Sequence, residues 1–153
     1  MFDEILGLPA HPLIIHTAVI FIPLLALGSV VYGLVPRVRP SLSWAMVLLA
    51  VAAPVSAFAA KESGEAFKAG RFAGGLPEGA LGRRINDHES YAGPLLLSVI
   101  GLGVAALLLV YSSLKLGKVT TGVLSAVTVV LALVAGYYVL MAGHTGATAV
   151  WAG

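Results

Sequence analysis

Four blocks of about 20 residues without one Asp, Glu, Lys or Arg constrain this chain more than any other feature. They run over residues 12–34, 44–60, 93–114 and 119–141. A bilayer core takes roughly 20 residues of apolar helix, and inside it each backbone N–H and C=O must be satisfied within its own segment. Each block therefore predicts a membrane-spanning helix. The composition agrees: 59% of the 153 residues are hydrophobic, 10% are charged, and the mean hydropathy is +0.98. The expected fold is all-α, a four-transmembrane-helix up-down-up-down bundle forming a single integral-membrane domain over residues 1–153.

Punctuation between the blocks sharpens the picture. Pro12 suits the first turn of span one. Pro54 predicts a kink in span two whose freed carbonyl a neighbouring helix must accommodate. Pro94 is either a first-turn residue or a kink in a helix that starts near "NDHES". "VPRVRPSLS" and "KLGK" are short loops. Residues 61–92 read as a long outer loop with an irregular Gly- and Pro-rich centre, "AGGLPEGALG", although a helix can continue into it through "KESGEAFKAG".

Charge placement gives an orientation. The short loops carry Arg37, Arg39, Lys115 and Lys118 and no acid, whereas residues 61–92 mix five basic with five acidic side chains. The positive-inside rule puts the short loops in the cytoplasm, and the acidic start with Asp3 and Glu4 agrees with translocation of the N-terminus. That start lacks the basic segment of a cleaved signal peptide, so span one is expected to stay. The expected location is a bacterial inner (plasma) membrane, with both termini extracytoplasmic. The net charge of +2 gives no ground for nucleic-acid binding.

Threaded through this topology, all four histidines fall on one side. His11 and His16 start span one, His88 precedes span three, and His144 follows span four. Interfacial histidine is tolerated for packing alone, and polar groups near a membrane interior also mark function. Helix ends converging in a bundle are where such folds build metal and cofactor sites. Zinc, copper or iron accept neutral imidazoles, with Glu62, Glu65, Asp87 and Glu89 on the same side as further oxygen ligands or acceptors. Five residues of regular helix separate His11 from His16 by roughly 140° and about 7.5 Å, so unless the first turn is distorted around Pro12 the two are expected to serve different ligands, or different depths of one large ligand, rather than chelate one small ion. One or two b-type haems also fit, since each takes axial imidazoles from separate helices. Lys61, Lys68, Arg83 and Arg84 lie on the side where propionates would sit. The absence of cysteine excludes disulfides, thiolate ligands and c-type attachment.

The motifs "HPLIIHTAVIFIP" (His11, Pro12, His16, Pro23), "DHES" (Asp87, His88) and "GHTGATAVW" (Gly143, His144, Gly146, Ala147, Val150, Trp151) resemble the four-helix predicted membrane family known as domain of unknown function 2231. The resemblance covers nearly the whole chain, and the HPxxxH opening is its most specific part. Members joined to cytochrome c or Rieske-like modules imply membrane electron transfer, and so favour haem over a structural ion.

Three function classes follow. The first is a membrane cytochrome b with ligands drawn from His11, His16, His88 and His144, exchanging electrons with quinone and an extracytoplasmic redox protein within a larger assembly. The second is a protein holding Zn, Cu or Fe directly on those histidines. The third is a structural subunit without cofactor. Met141 is a soft ligand by type and a packing residue by default. Trp44, Trp151, Tyr32 and Tyr111 read as interfacial anchors. Glycines 28, 101, 103, 136 and 143 are expected to permit close helix contact. Hydrolase, nucleotide and zinc-protease motifs are absent from the sequence.

Overall fold

The computed structural model describes residues 4–5 and 8–151, so Asp3 lies outside the described residues. A two-residue antiparallel pairing, β1 (Glu4–Ile5) with β2 (Leu8–Pro9), precedes four helices. These are α1 (Ala10–Leu34), α2 (Arg39–Arg71), α3 (Ala80–Lys115) and α4 (Lys118–Trp151). All four are long and apolar enough to cross a membrane. They form a four-helix bundle in which α1 packs on α2 and α4, α3 packs on α2 and α4, and α1 and α3 meet across the short diagonal.

Small and aliphatic residues build the interior. Ile22, Leu25, Met46, Leu102 and Leu109 are fully buried, with Ala53, Ala106 and Ala135 setting the close spacing. Leu27, Leu97, Val119, Leu133 and Leu140 point outward, an arrangement suited to a surface solvated by lipid tails. The protein is thus built as an integral membrane bundle.

The long loop expected over residues 61–92 is mostly helix. Only residues 72–79 are irregular, with Gly75 and Gly79 at φ 107° and 88°. Neither "KESGEAFKAGR" nor "ALGRRINDHESYA" contains a proline to stop a helix. Lys61 also pairs with Glu65 one turn on, a spacing that supports helix. At 33 residues, α2 is about 50 Å long, well beyond the ~30 Å of a hydrocarbon core. Its last turns, with the start of α3 and the end of α4, carry the helical scaffold past the apolar layer on the histidine side.

Pro54 has the consequence its chemistry requires. It cannot donate to Ala50, and the released Ala50 carbonyl faces α3 at Gly103, where a Cβ would lie 2.6 Å from that oxygen. The glycine lets α3 ride against the freed carbonyl. Gly28 is similarly close to the Met46 sulfur, whereas a Cβ on Gly101, Gly136 or Gly143 would meet open space. Close approach therefore explains two of the five glycines.

The opposite end of the bundle is closed by Tyr32 and Arg39. Tyr32 is not an interfacial anchor: it is completely buried, and its hydroxyl hydrogen-bonds with Ser43 Oγ at 2.9 Å and Ser113 Oγ at 2.7 Å. The physical reason is that Tyr32 shares the core-facing line of α1 with Ile22, Leu25 and Ser29. Tyr111, Trp44 and Trp151 are exposed, as anchors require. Arg39 donates to the Tyr32 and Gly33 carbonyls at 3.0 Å, capping the C-terminal end of α1, where a positive charge is favourable. Tyr32→Phe removes the tyrosine's hydrogen bonds to Ser43 and Ser113 and is expected to cost about 1–2 kcal/mol, read as a lower unfolding midpoint with the helical content unchanged.

Candidate cofactor site

His11 stands at the start of α1, half-buried against the end of α2. Its Nδ1 lies 3.0 Å from Ser63 Oγ, and that buried hydroxyl donates to the Ala60 carbonyl at 3.0 Å. With its proton committed there, Ser63 accepts from His11. The assigned tautomer therefore carries hydrogen on Nδ1 and leaves a free lone pair on Nε2. Phe67 stacks on the ring at 5.9 Å between centroids and 24° between planes. Gly64 makes room for it, since a Cβ there would sit 3.1 Å from His11 Cε1.

His88, on α3, repeats the device against α4. Its Nδ1 is 3.0 Å from the Ala142 carbonyl, an oxygen that only accepts, and 3.4 Å from Thr145 Oγ1. The Nδ1–H therefore donates and Nε2 is again free. Thr145 itself donates to the Met141 carbonyl at 2.8 Å. A Cβ on Gly146 would lie 3.1 Å from His88 Cε1, the same separation as at Gly64. Each helical hairpin thus contributes one imidazole from its first helix, seated against its second: on Ser63 and Gly64 in one, and on the Ala142 carbonyl, Thr145 and Gly146 in the other.

The two rings stand on the diagonal helices α1 and α3, at the same end of the bundle. Tyr91, three residues on from His88, packs on Tyr138 at 6.5 Å and fixes α3 to α4 beside the site.

His16 and His144 do not join them. Both are exposed, and the His16 Nδ1 hydrogen-bonds with the Pro12 carbonyl of its own helix. Gly33 packs on Ser125 and Val129. Counting back along α1 and forward along α4 from that contact brings His16 level with His144. The pair flanks the outside of the bundle, on adjacent helices at one depth. The four histidines therefore share a layer but face two environments.

Three of the acids on this side, Glu62, Glu65 and Glu89, pair with lysines. Glu65 pairs with Lys61 and Glu89 with Lys68, the latter tying α2 to α3. Arg84 donates to the Thr148 carbonyl at 3.4 Å. Among the described residues, no three His, Asp or Glu side chains converge in a way that could hold a metal ion.

Near His11 a groove of about 460 Å³ opens between α1 and α2, walled by Leu13, Ile14, Thr17, Ala52, Val55 and Ala59. It is apolar and faces outward.

In the sequence, "ESGEAF" stands out for its carboxylates Glu62 and Glu65, and "GHTGATAVW" for His144. The structure gives Gly146 to His88, and Ser63 and Gly64 to His11. A Ser–Gly and a Thr–Gly step, each at the same end of an even-numbered helix, was the available signal. No family model, curated protein or solved structure matches the chain.

Proposed function

We propose that this protein is a small b-type cytochrome-like electron-transfer protein of the membrane, with His11 and His88 as the axial ligands of one haem. The observation that carries the reading is the matched pair of imidazoles, one from each hairpin, each with Nδ1 tied to an acceptor and Nε2 free. That is how protein contacts orient histidine for an iron ligand. A centre that needs only two protein ligands also suits the pair better than a four-ligand zinc site. Gly64 and Gly146 remove bulk at the ring edges, and the surrounding helices supply an apolar setting. Such a group supplies one-electron chemistry when bound; the chain's part is to hold two neutral imidazoles on separate rigid hairpins.

The basic loops orient the chain with the histidine layer extracytoplasmic in a bacterial inner membrane. Its partners are then an extracytoplasmic redox protein and a membrane-dissolved quinone, within a larger assembly. The resemblance to domain of unknown function 2231 supports the same direction.

A visible spectrum tests this directly. Protein purified from haem-sufficient cells is expected to show a Soret band and, on reduction, sharp α and β bands with about one haem per chain. A colourless protein carrying stoichiometric zinc, copper or iron overturns the haem reading in favour of direct metal binding. Absence of both leaves a structural subunit.

A further inference from the structure

Hydroxyls in these helices mostly turn back on their own backbone. Ser56 donates to the Ala53 carbonyl, Ser98 to Leu95 and Ser113 to Val110, each at 2.8 Å. In an apolar bundle this is the cheapest way to satisfy a hydroxyl. Two depart from the pattern: Ser29 on α1 and Thr128 on α4 are completely buried, and neither oxygen has a hydrogen-bond partner. An unpartnered buried hydroxyl costs about 1–3 kcal/mol by mutational measures, so two facing one interior need an explanation.

Their neighbourhood supplies one. Gly33, one turn along α1 from Ser29, packs on Ser125 and Val129, which brings Ser29 and Thr128 to the same stretch of the α1–α4 seam. On α4, Thr121, Ser125 and Thr128 fall on one face and are all buried. Thr121 Oγ1 is 2.9 Å from Ser112 Oγ, and Arg39 donates to Ser125 Oγ at 3.3 Å. Beyond Thr128 the same face continues as Ala132 and Ala135, opposite Ile22 and Leu25, all buried and apolar. A line of hydroxyls thus enters from the Arg39 end and stops at Ser29 and Thr128.

We propose that Ser29 and Thr128 bind water at the inner end of this line of hydroxyls. Water both donates and accepts, so one or two molecules satisfy both hydroxyls, and buried water typically serves otherwise unpaired groups of this kind. A metal cation does not fit: the hydroxyls along this line are neutral, no carboxylate stands among them, and the Arg39 guanidinium places a positive charge at the line's outer end. The inference is independent of what the histidines hold. It makes the two halves of the α1–α4 seam unlike, one carrying buried water among hydroxyls and the other packed with aliphatic side chains.

The chain has no cysteine, so a single introduced thiol reports on its own surroundings. Ser29→Cys and Thr128→Cys, in the full chain reconstituted in lipid, are compared with Leu25→Cys and Ala132→Cys as dry controls on the same helices. The readout is the infrared S–H band after transfer to D2O. The 29 and 128 thiols are expected to exchange at least about ten times faster than the controls. Exchange no faster than at 25 and 132 overturns the proposal. Should either variant fail to fold, an experimental density map of the unaltered protein decides: a peak within about 3.2 Å of both Ser29 Oγ and Thr128 Oγ1 supports bound water, and clean empty density there refutes it.

Discussion

Replacing His88 by alanine is expected to abolish the Soret band of the purified protein, and His11→Ala to do the same, while His16→Ala and His144→Ala keep it. The contrast follows from where the rings stand. His11 and His88 are half-buried, oriented through Nδ1 by Ser63 and the Ala142 carbonyl, and carry free Nε2 lone pairs. His16 and His144 face outward, and His16 is spoken for by the Pro12 carbonyl of its own helix. Loss of an axial ligand should also shift any residual absorbance away from a low-spin, two-imidazole spectrum. If instead His16→Ala and His144→Ala each halve the haem content, the outward pair holds a second haem. If they abolish it and His11→Ala and His88→Ala do not, the inward pair is packing and the assignment fails. Circular dichroism on each variant separates ligand loss from unfolding.

Gly103→Val carries the largest expected cost to the fold. The added Cβ would stand 2.6 Å from the Ala50 oxygen and 3.1 Å from Pro54 Cγ, and the obstacles are backbone and a proline ring rather than a flexible side chain. Overpacking a close-packed interior typically costs about 1–3 kcal/mol. A β-branched residue against backbone belongs at or above the top of that range. The expected result is little folded protein after extraction into mild detergent, with Gly101→Val, which points into open space, retained as the control. Equal stability of the two variants would show that α3 does not lie against the Ala50–Pro54 turn of α2.

The membrane fold was legible because hydropathy and helix length are one-dimensional quantities: four uncharged blocks need four helices wherever they pack. The extensions of α2 and α3 beyond the apolar layer were half legible, since "KESGEAFKAG" lacks a breaker but gives no sign of where its helix ends. Burial of Tyr32 was not legible. A tyrosine near a span end is an anchor or a core residue according to which helix faces it, and that depends on Ser43 and Ser113, 11 and 81 residues away along the chain. The histidine layer could be read from topology alone, but its division into an inward and an outward pair could not. The 140° between His11 and His16 separates their directions; only the packing of α1 on α2 and α4 decides which direction is inside.

Each hairpin holds half of the inward site, and each half is completed late. His11 waits for Ser63 and Gly64 near the end of α2, and His88 waits for Thr145 and Gly146 near the end of α4. During synthesis the first half exists once the α1–α2 hairpin has formed, but nothing that needs both imidazoles can be bound until the later turns of α4 have docked on α3. Loading of the centre would then report that all four helices have been inserted and docked, and a truncated or misinserted chain would carry an oriented histidine but no occupied site.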